Sequence, residues 1–339
     1  MRIGIDARKI ADYGIGTYIR GLLGGLAEIA GDEQYVVFAP SSARSRIPAA
    51  FEHVVLDAPH YSIRELFAVG AAARRARIDL LHAPHYVVPF TRVPTVVTIH
   101  DLIHLHVGHR NPLAGPYART MLRRAVNKSI RILTVTEAVK NEIVATFGIP
   151  AAKVTVTRNG IDDRFRQAAQ ARPSNYFLYT GNDKPHKNVD VLVAAFESVR
   201  ASRSDLALVL AGASFERFAT VDGVVTPGFV ADDELASLYR GAIAVVMPSI
   251  EEGFGLPAAE AMASGVAVIT SNAPALVEVT GDAAIHVDAR SSGTVAAAML
   301  RVANDESLRT RLAGAGIDRS RAFTWLRCAE STRRAYFGA

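Results

Sequence analysis

The chemistry most plainly spelled in this sequence lies between Pro248 and Ala263, where PSIEEGFGLPAAEAMA follows the apolar run ending at Met247. A glycine-rich turn leads into Pro257, expected at the first position of a helix, and the unsatisfied N–H groups of such a helix start form an anion site. Glu252 lies on the turn and Glu260 inside the helix, with seven residues between them. Carboxylates accept hydrogen bonds from hydroxyls, so the pair suits a ligand with phosphates in its middle and hydroxyls at both ends. A nucleotide sugar is such a ligand. The plainer alternative makes Glu260 a partner of the helix dipole and Glu252 a solvated loop residue.

Three further segments carry candidate chemistry. Lys187, at the start of the helix after the first strand of the second half, places an ammonium where it can neutralise a diphosphate leaving group, unless it is only a surface lysine. His100 ends the apolar strand PTVVTI, with Asp101 next, and a histidine at a strand's carboxyl end can bond a donor sugar or the reacting oxygen, or simply the neighbouring backbone. Gly14 and Gly16, in YGIGTY, open the first helix. Ile19 stands where a dinucleotide fingerprint needs its third glycine, which argues against a dehydrogenase. His82, His85, His100, His104, His106 and His109 suggest a metal, yet their spacing matches no H-E-x-x-H pair. Neither metal nor cofactor is expected.

The elements that must position these residues are legible from periodicity. β-branched runs alternate with helical stretches throughout, the pattern of parallel sheets wrapped by helices. In the first half the strands are Arg2–Asp6, Tyr35–Ala39, Val54–Asp57, Leu80–Ala83, Pro94–His100, Arg131–Val135 and Val154–Thr157. Helices fall near Ile15–Ile29, Ile63–Arg77, Pro112–Ser129 and Glu137–Phe147, the last stopped by Gly148-Ile149-Pro150. The second half has strands Tyr176–Thr180, Leu206–Leu210, Val224–Val225, Ile243–Met247 and Val266–Thr270. Its helices are Val189–Ala201, Asp232–Arg240, Leu256–Ala263, Thr294–Ala303, Glu306–Ala322 and Trp325–Tyr336. The polar, aperiodic stretch 160–175 reads as a boundary. The expected architecture is α/β: two doubly wound, Rossmann-like domains facing a cleft, residues 1–165 and 166–339. The last helix, about 325–336, is a candidate to pack back on the first domain.

With 339 residues, 50% hydrophobic and 21% charged, the chain is long enough for two cores and is neither disordered nor collagenous. One cysteine, Cys328, excludes an internal disulfide and a thiolate metal site. No apolar run approaches the roughly 18 residues of a membrane span and the N-terminus lacks a signal-peptide core, so the expected location is the cytoplasm. Residues 1–166 carry 22 Lys+Arg against 14 Asp+Glu, and residues 167–339 carry 16 against 19, so the halves differ in sign, +8 and −3. The basic half, with Arg119, Arg123, Arg124, Lys128 and Arg131 among apolar residues, suggests an anionic acceptor or an anionic lipid surface, with a solvated basic face as the alternative.

The E-x7-E element in EGFGLPxxEAMAxG resembles the retaining nucleotide-sugar glycosyltransferases of family 4, which have the GT-B fold, and the resemblance covers nearly the whole chain. TGNDKPHKN (Thr180–Asn188) is similar to that family's lysine turn, Gly228-Phe229-Val230 to its base-binding loop, Thr157–Asp162 to its P-N-G-V-D, Thr98–Asp101 to its T-x-H-D, and Gly14–Tyr18 to its G-G-I-G-x-Y. The resemblance implies a catalytic set of His100, Lys187 and Glu252. The implied substrate-binding set is Gly14, Gly16, Asp101, Asn182, Phe229, Val230, Gly253, Phe254, Gly255, Leu256 and Glu260, with Glu260 on the ribose and Glu252 on the donor sugar. Many relatives pair the lysine with an arginine; here Asn182 and His186 occupy the candidate positions, with Arg158 or Lys184 as substitutes. The expected activity is metal-independent hexosyl transfer with retention in surface polysaccharide synthesis. The expected partners are a nucleotide-sugar donor, GDP-mannose or alternatively a UDP-hexose, a glycan or lipid-linked acceptor, peripheral contact with anionic membrane, and no nucleic acid. A sugar-nucleotide epimerase, a non-catalytic nucleotide-binding module and a metallohydrolase are the rivals.

Overall fold

The computed structural model describes residues 1–57, 63–106, 114–166 and 174–338. They form two compact units, Met1–Gly160 together with Thr324–Ala339, and Ile161–Phe323. The sequence assigned residues 161–165 to the first domain; they lie in the second unit.

The first unit contains strands β1 (Arg2–Asp6), β2 (Gln34–Ala39), β3 (Glu52–Val55), β4 (Leu80–Ala83), β5 (Thr95–Thr98), β6 (Arg131–Thr134) and β7 (Val154–Val156). Its first five α-helices are α1 (Gly14–Ile29), α2 (Ile63–Arg75), α3 (Ile103–His106), α4 (Ala114–Lys128) and α5 (Glu137–Phe147). The second unit contains strands β8 (Tyr176–Asn182), β9 (Ala207–Ala213), β10 (Val224–Gly228), β11 (Ala244–Met247), β12 (Ala267–Ser271) and β13 (Ala284–Val287). Its helices are α6 (Val189–Arg200), α7 (Asp232–Gly241), α8 (Leu256–Ala263), α9 (Pro274–Thr280), α10 (Ser292–Asn304) and α11 (Glu306–Ser320), and α12 (Trp325–Tyr336) then returns to the first unit.

Both sheets are parallel. The first runs in the order β3-β2-β1-β4-β5-β6-β7, the second β10-β9-β8-β11-β12-β13. Central strands such as LLHA, TVVT and AVVM are buried along their whole length, the burial that parallel sheets covered on both faces impose. In each sheet the strand order reverses beside the first strand, between β1 and β4 and between β8 and β11. Parallel α/β sheets bind ligands at such a reversal, outside the carboxyl ends of the strands. The loops after β8 and β11 are therefore the ones that matter in the second unit.

Of these strands and α-helices three went unread in the sequence: α3, α9 and β13. Strand Pro94–His100 shortens to Thr95–Thr98, because Pro94 has no N–H to give the ladder and the chain leaves the sheet before His100. The predicted start of α4 at Pro112 lies outside the described residues.

Small residues on α1 dock α12 onto the first unit. A Cβ on Gly21 would collide with the Trp325 ring, and one on Gly25 with the Trp325 carbonyl. Cys328, Ala329, Ala335 and Tyr336 join a core with Tyr18, Leu22, Leu23 and Leu26, and each large side chain so buried contributes about 1.5–3 kcal/mol. Arg333 adds a bidentate bond to Glu33, at 2.5 and 3.0 Å.

Candidate active site residues

In the second unit, the loops following β8 and β11 are tied together by backbone. Ile250 N donates to His186 O at 2.8 Å, and Asn188 Nδ2 donates to Pro248 O and Ala289 O at 3.1 and 2.5 Å. Across this junction Lys187 Nζ meets Glu252 Oε1 at 2.6 Å, with side chains only 19% and 8% exposed. The strand reversal thus brings together two residues 65 positions apart. Gly255, at φ 84°, caps α8, a conformation L side chains rarely adopt, and no described side chain caps that helix or places an acid in its first turn. Pro257 is the second helical residue rather than the first; Leu256 precedes it. The proline ring still suits the turn, since either position lies among the N–H groups that lack an intrahelical acceptor.

Glu260 projects from α8 toward α7. Its Oε2 accepts from the Tyr239 hydroxyl at 2.9 Å, and because that donation uses the phenol's single proton, Thr180 donates to Tyr239 at 2.8 Å. Burial pushes the Glu260 carboxyl up to about 7; Asp232 and Asp162 push the same way, while the Tyr239 bond and Arg164 oppose them. Arg164 is itself bonded to Asp162, Asp232 and Asp233 at 3.0, 3.3 and 3.4 Å. Tyr239 was missed in the sequence: a tyrosine within a short amphipathic helix carries no signal that it will reach a carboxylate 21 residues on.

The other predicted residues of this unit divide by environment. Phe254 is buried edge-on against Phe323, ring centroids 5.4 Å apart, so its side chain anchors the turn and its amide is the group left for a ligand. Gly253 is buried beside it. In the loop between β10 and α7, Phe229 is 74% exposed and Val230 buried. Asn182 ends β8, and its buried Oδ1 has no hydrogen-bond partner among the described residues.

In the first unit, Gly16 is buried where a Cβ would strike the carbonyls of Ile10 and Lys9, so the glycine lets the start of α1 lie against the loop after β1. Gly14 is exposed, with open space around it. His100 Nε2 donates to Pro84 O at 3.0 Å, which assigns the ring proton to Nε2 and leaves Nδ1 as an acceptor in the neutral form. Burial holds its pKa below the ordinary histidine value. The ring meets Tyr18 edge-on at 4.7 Å, and Tyr18 shares a proton with Thr98 at 3.0 Å. Thr98 in turn bonds His82 Nε2 at 2.8 Å, whose Nδ1 meets the Tyr336 hydroxyl at 2.6 Å; burial holds His82 down to about 3. Asp101 Oδ1 accepts from Ile103 N at 3.2 Å and so opens α3.

The remaining histidines of the grouped segment have individual partners. His85 Nδ1 accepts from Val87 N at 3.2 Å, while its Nε2 lies 3.7 Å from Asp6. His104 meets Tyr86 edge-on at 5.8 Å, and His106 sits 3.4 Å from Glu142. His109 lies outside the described residues. Asp6 and Arg8 form a buried bidentate pair at 2.8 and 2.8 Å. Burial alone would raise the Asp6 carboxyl, but His85 and the Arg8 guanidinium hold it well below the carboxylate range.

Comparison with known proteins divides the chain at nearly the same point. Residues 13–165 match the family model described as Glycosyltransferase Family 4, and residues 161–319 that described as Glycosyl transferases group 1. The O-antigen chain mannosyltransferase B of Escherichia coli is 29% identical over 288 residues, covering 78% of this chain and 76% of its own. The O-antigen chain mannosyltransferase RfbU of Salmonella typhimurium is 31% identical over 218 residues, 62% of this chain and 60% of its own. Among solved structures, sucrose-phosphate synthase from Thermosynechococcus elongatus superposes with a TM-score of 0.80 at 19% identity, covering 100% of this chain and 98% of its own.

Proposed function

The chain belongs to the GT-B glycosyltransferases, with a family 4 half followed by a group 1 half, and from that premise we propose that it transfers a hexose from a nucleoside diphosphate sugar to a hydroxyl acceptor with retention of configuration. The observation that carries this reading is the meeting of Lys187 and Glu252 at the strand reversal of the second unit, beside the uncapped start of α8. In the proposed reaction the bond from sugar C1 to the diphosphate oxygen breaks and a bond from C1 to the acceptor oxygen forms on the same face. The acceptor's proton passes to the departing diphosphate oxygen. Lys187 and the amides of α8 stabilise the charge that develops there, and electrostatic stabilisation of this kind is usually the largest catalytic contribution. Glu260 accepts from ribose hydroxyls, and Glu252 from hydroxyls of the donor sugar. For the first unit by itself we propose that His100 and Asp101, with Gly14 and Gly16, contact substrate, neutral His100 offering Nδ1 to a hydroxyl. No step calls for a metal.

Likeness to two O-antigen mannosyltransferases supports GDP-mannose as donor and surface polysaccharide synthesis as the setting, with a UDP-hexose as the alternative donor. A lipid-linked acceptor at the inner face of the membrane agrees with the charge of the first half. Residues 84–131 contain seven Lys and Arg against one acid, Asp101. Arg119, Arg123 and Lys128 are exposed on α4, and Phe67 and Phe90 stack at 5.0 Å with 59% and 44% exposure beneath Arg124, whose guanidinium lies 4.0 Å from the Phe90 ring. Basic side chains around exposed aromatics suit an anionic lipid surface. Among the described residues, no helix is long and apolar enough to cross a membrane.

The test is a thermal-shift panel of GDP- and UDP-sugars, followed by NMR of the product formed with a glycan acceptor. GDP-mannose is expected to give the largest shift, and the product to keep the donor's anomeric configuration. Absence of a shift with any nucleotide sugar would sink the reading. Conversion of the donor without an acceptor would favour the epimerase.

A further inference from the structure

Arg217 lies just beyond β9, the neighbour of β8, and is half exposed over the ring of Phe218 at 4.0 Å. Its guanidinium makes four hydrogen bonds to two carboxylates. Nε and Nη2 donate to Asp183 at 2.5 and 2.9 Å, and Nη1 and Nη2 donate to Asp190 at 2.5 and 2.8 Å. Asp183 stands four residues before Lys187 and Asp190 three after it. One side chain therefore clasps both ends of the turn that presents the lysine. The clasp and the Lys187–Glu252 pair have one neighbour in common. The Tyr179 phenol, which donates to Asn182 O at 3.2 Å, is pushed up first by burial and then by both Glu252 and Asp183. Asp183 is mostly buried, so without a cation its charge would act on the Lys187 site with little screening by water.

We infer that Arg217 is a positioning residue for the donor site: it fixes the Lys187 turn and offsets one of the two negative charges of Asp183 and Asp190, so that Lys187 meets a diphosphate against a weaker opposing field. This rests on the nucleotide-sugar reading of the second unit. Lysine is a poor substitute, since one ammonium cannot engage two carboxylates with the paired geometry of a guanidinium.

Titration calorimetry with UDP and GDP tests the inference, using the full chain and its Arg217→Met, Arg217→Lys and Arg217→Met/Asp183→Asn/Asp190→Asn variants, each checked by circular dichroism. Arg217→Met is expected to weaken diphosphate affinity on the order of tenfold, the scale of one unpaired charge near a half-buried site, and Arg217→Lys to fall between it and the parent. The triple variant, which lacks the carboxylates as well, is expected to recover to within about threefold of the parent; a merely structural clasp would not recover. The inference is overturned if Arg217→Met binds as the parent does, or if the triple variant stays as weak as the single. Should Arg217→Met not fold, the comparison of Arg217→Lys with Arg217→Lys/Asp183→Asn decides in the same sense, regained affinity supporting and unchanged loss overturning. A parent chain that binds neither nucleotide would overturn the donor reading itself.

Discussion

Glu260 is held among groups that make its charge costly and yet provide it with a donor. Its carboxyl titrates near 7, above the ordinary value of 4.5, with burial as the main cause. Between those values the folded chain keeps a proton that the unfolded chain has released. The stability Glu260 adds is therefore fully present below about pH 4.5 and lost as pH rises through about 7. In the proposed donor complex ligand binding is expected to run the other way, because the carboxylate is the stronger acceptor for hydroxyls. Donor affinity measured by calorimetry is expected to strengthen from pH 6 to pH 8, and Glu260→Gln to flatten that dependence. Glu260→Ala is expected to weaken donor binding by about 2–4 kcal/mol through lost bonds to a charged group. Lys187→Ala should instead lower turnover by about 10²–10³ while changing donor affinity less, as expected of a group acting on charge that develops in the transition state; steady-state rates with and without saturating donor separate the two.

At the scale of elements, the α1–α12 contact is built from absence of side chains. Gly25 has no room for a Cβ because the Trp325 carbonyl occupies that space. Gly25→Val should therefore cost about 1–3 kcal/mol by overpacking, read as a lowered urea midpoint. The same contact marks where sequence reading succeeds and where it stops. Helix α12 was legible from Trp325 to Tyr336, since Thr324 caps it and its apolar positions recur at helical spacing. Helix α9 has only seven residues, too few for a helical period to emerge. The turn around Glu252 was legible because glycine and proline punctuate it. Its partners were not: the bonds from Lys187 to Glu252, Tyr239 to Glu260 and Arg217 to Asp183 join residues 65, 21 and 34 positions apart, and pairings at such separations are made by strand order, which no local pattern encodes. Arg217 was within reach of one rule, that polar residues beyond the carboxyl ends of parallel strands deserve scrutiny, but β9 runs to Ala213 and the strand had been ended at Leu210.

Across the whole molecule, charge is unevenly distributed, +8 in residues 1–166 and −3 in residues 167–339. The chain is expected to bind vesicles containing phosphatidylglycerol and not pure phosphatidylcholine, with binding weakened by salt because the attraction is screened within a Debye length. Arg119→Glu/Arg123→Glu should abolish flotation with such vesicles while leaving the thermal midpoint within about 2 °C of the parent, since both side chains are exposed. Connectivity has a separate consequence. The first unit owns both the opening 160 residues and the helix at the far end of the chain. On a ribosome its sheet emerges early, but the apolar flank of α1 stays uncovered until Trp325 and Tyr336 have left the exit tunnel, so the part made first is the part completed last. A nascent or prematurely terminated chain would display that bare flank to chaperones and proteases throughout the synthesis of the other unit.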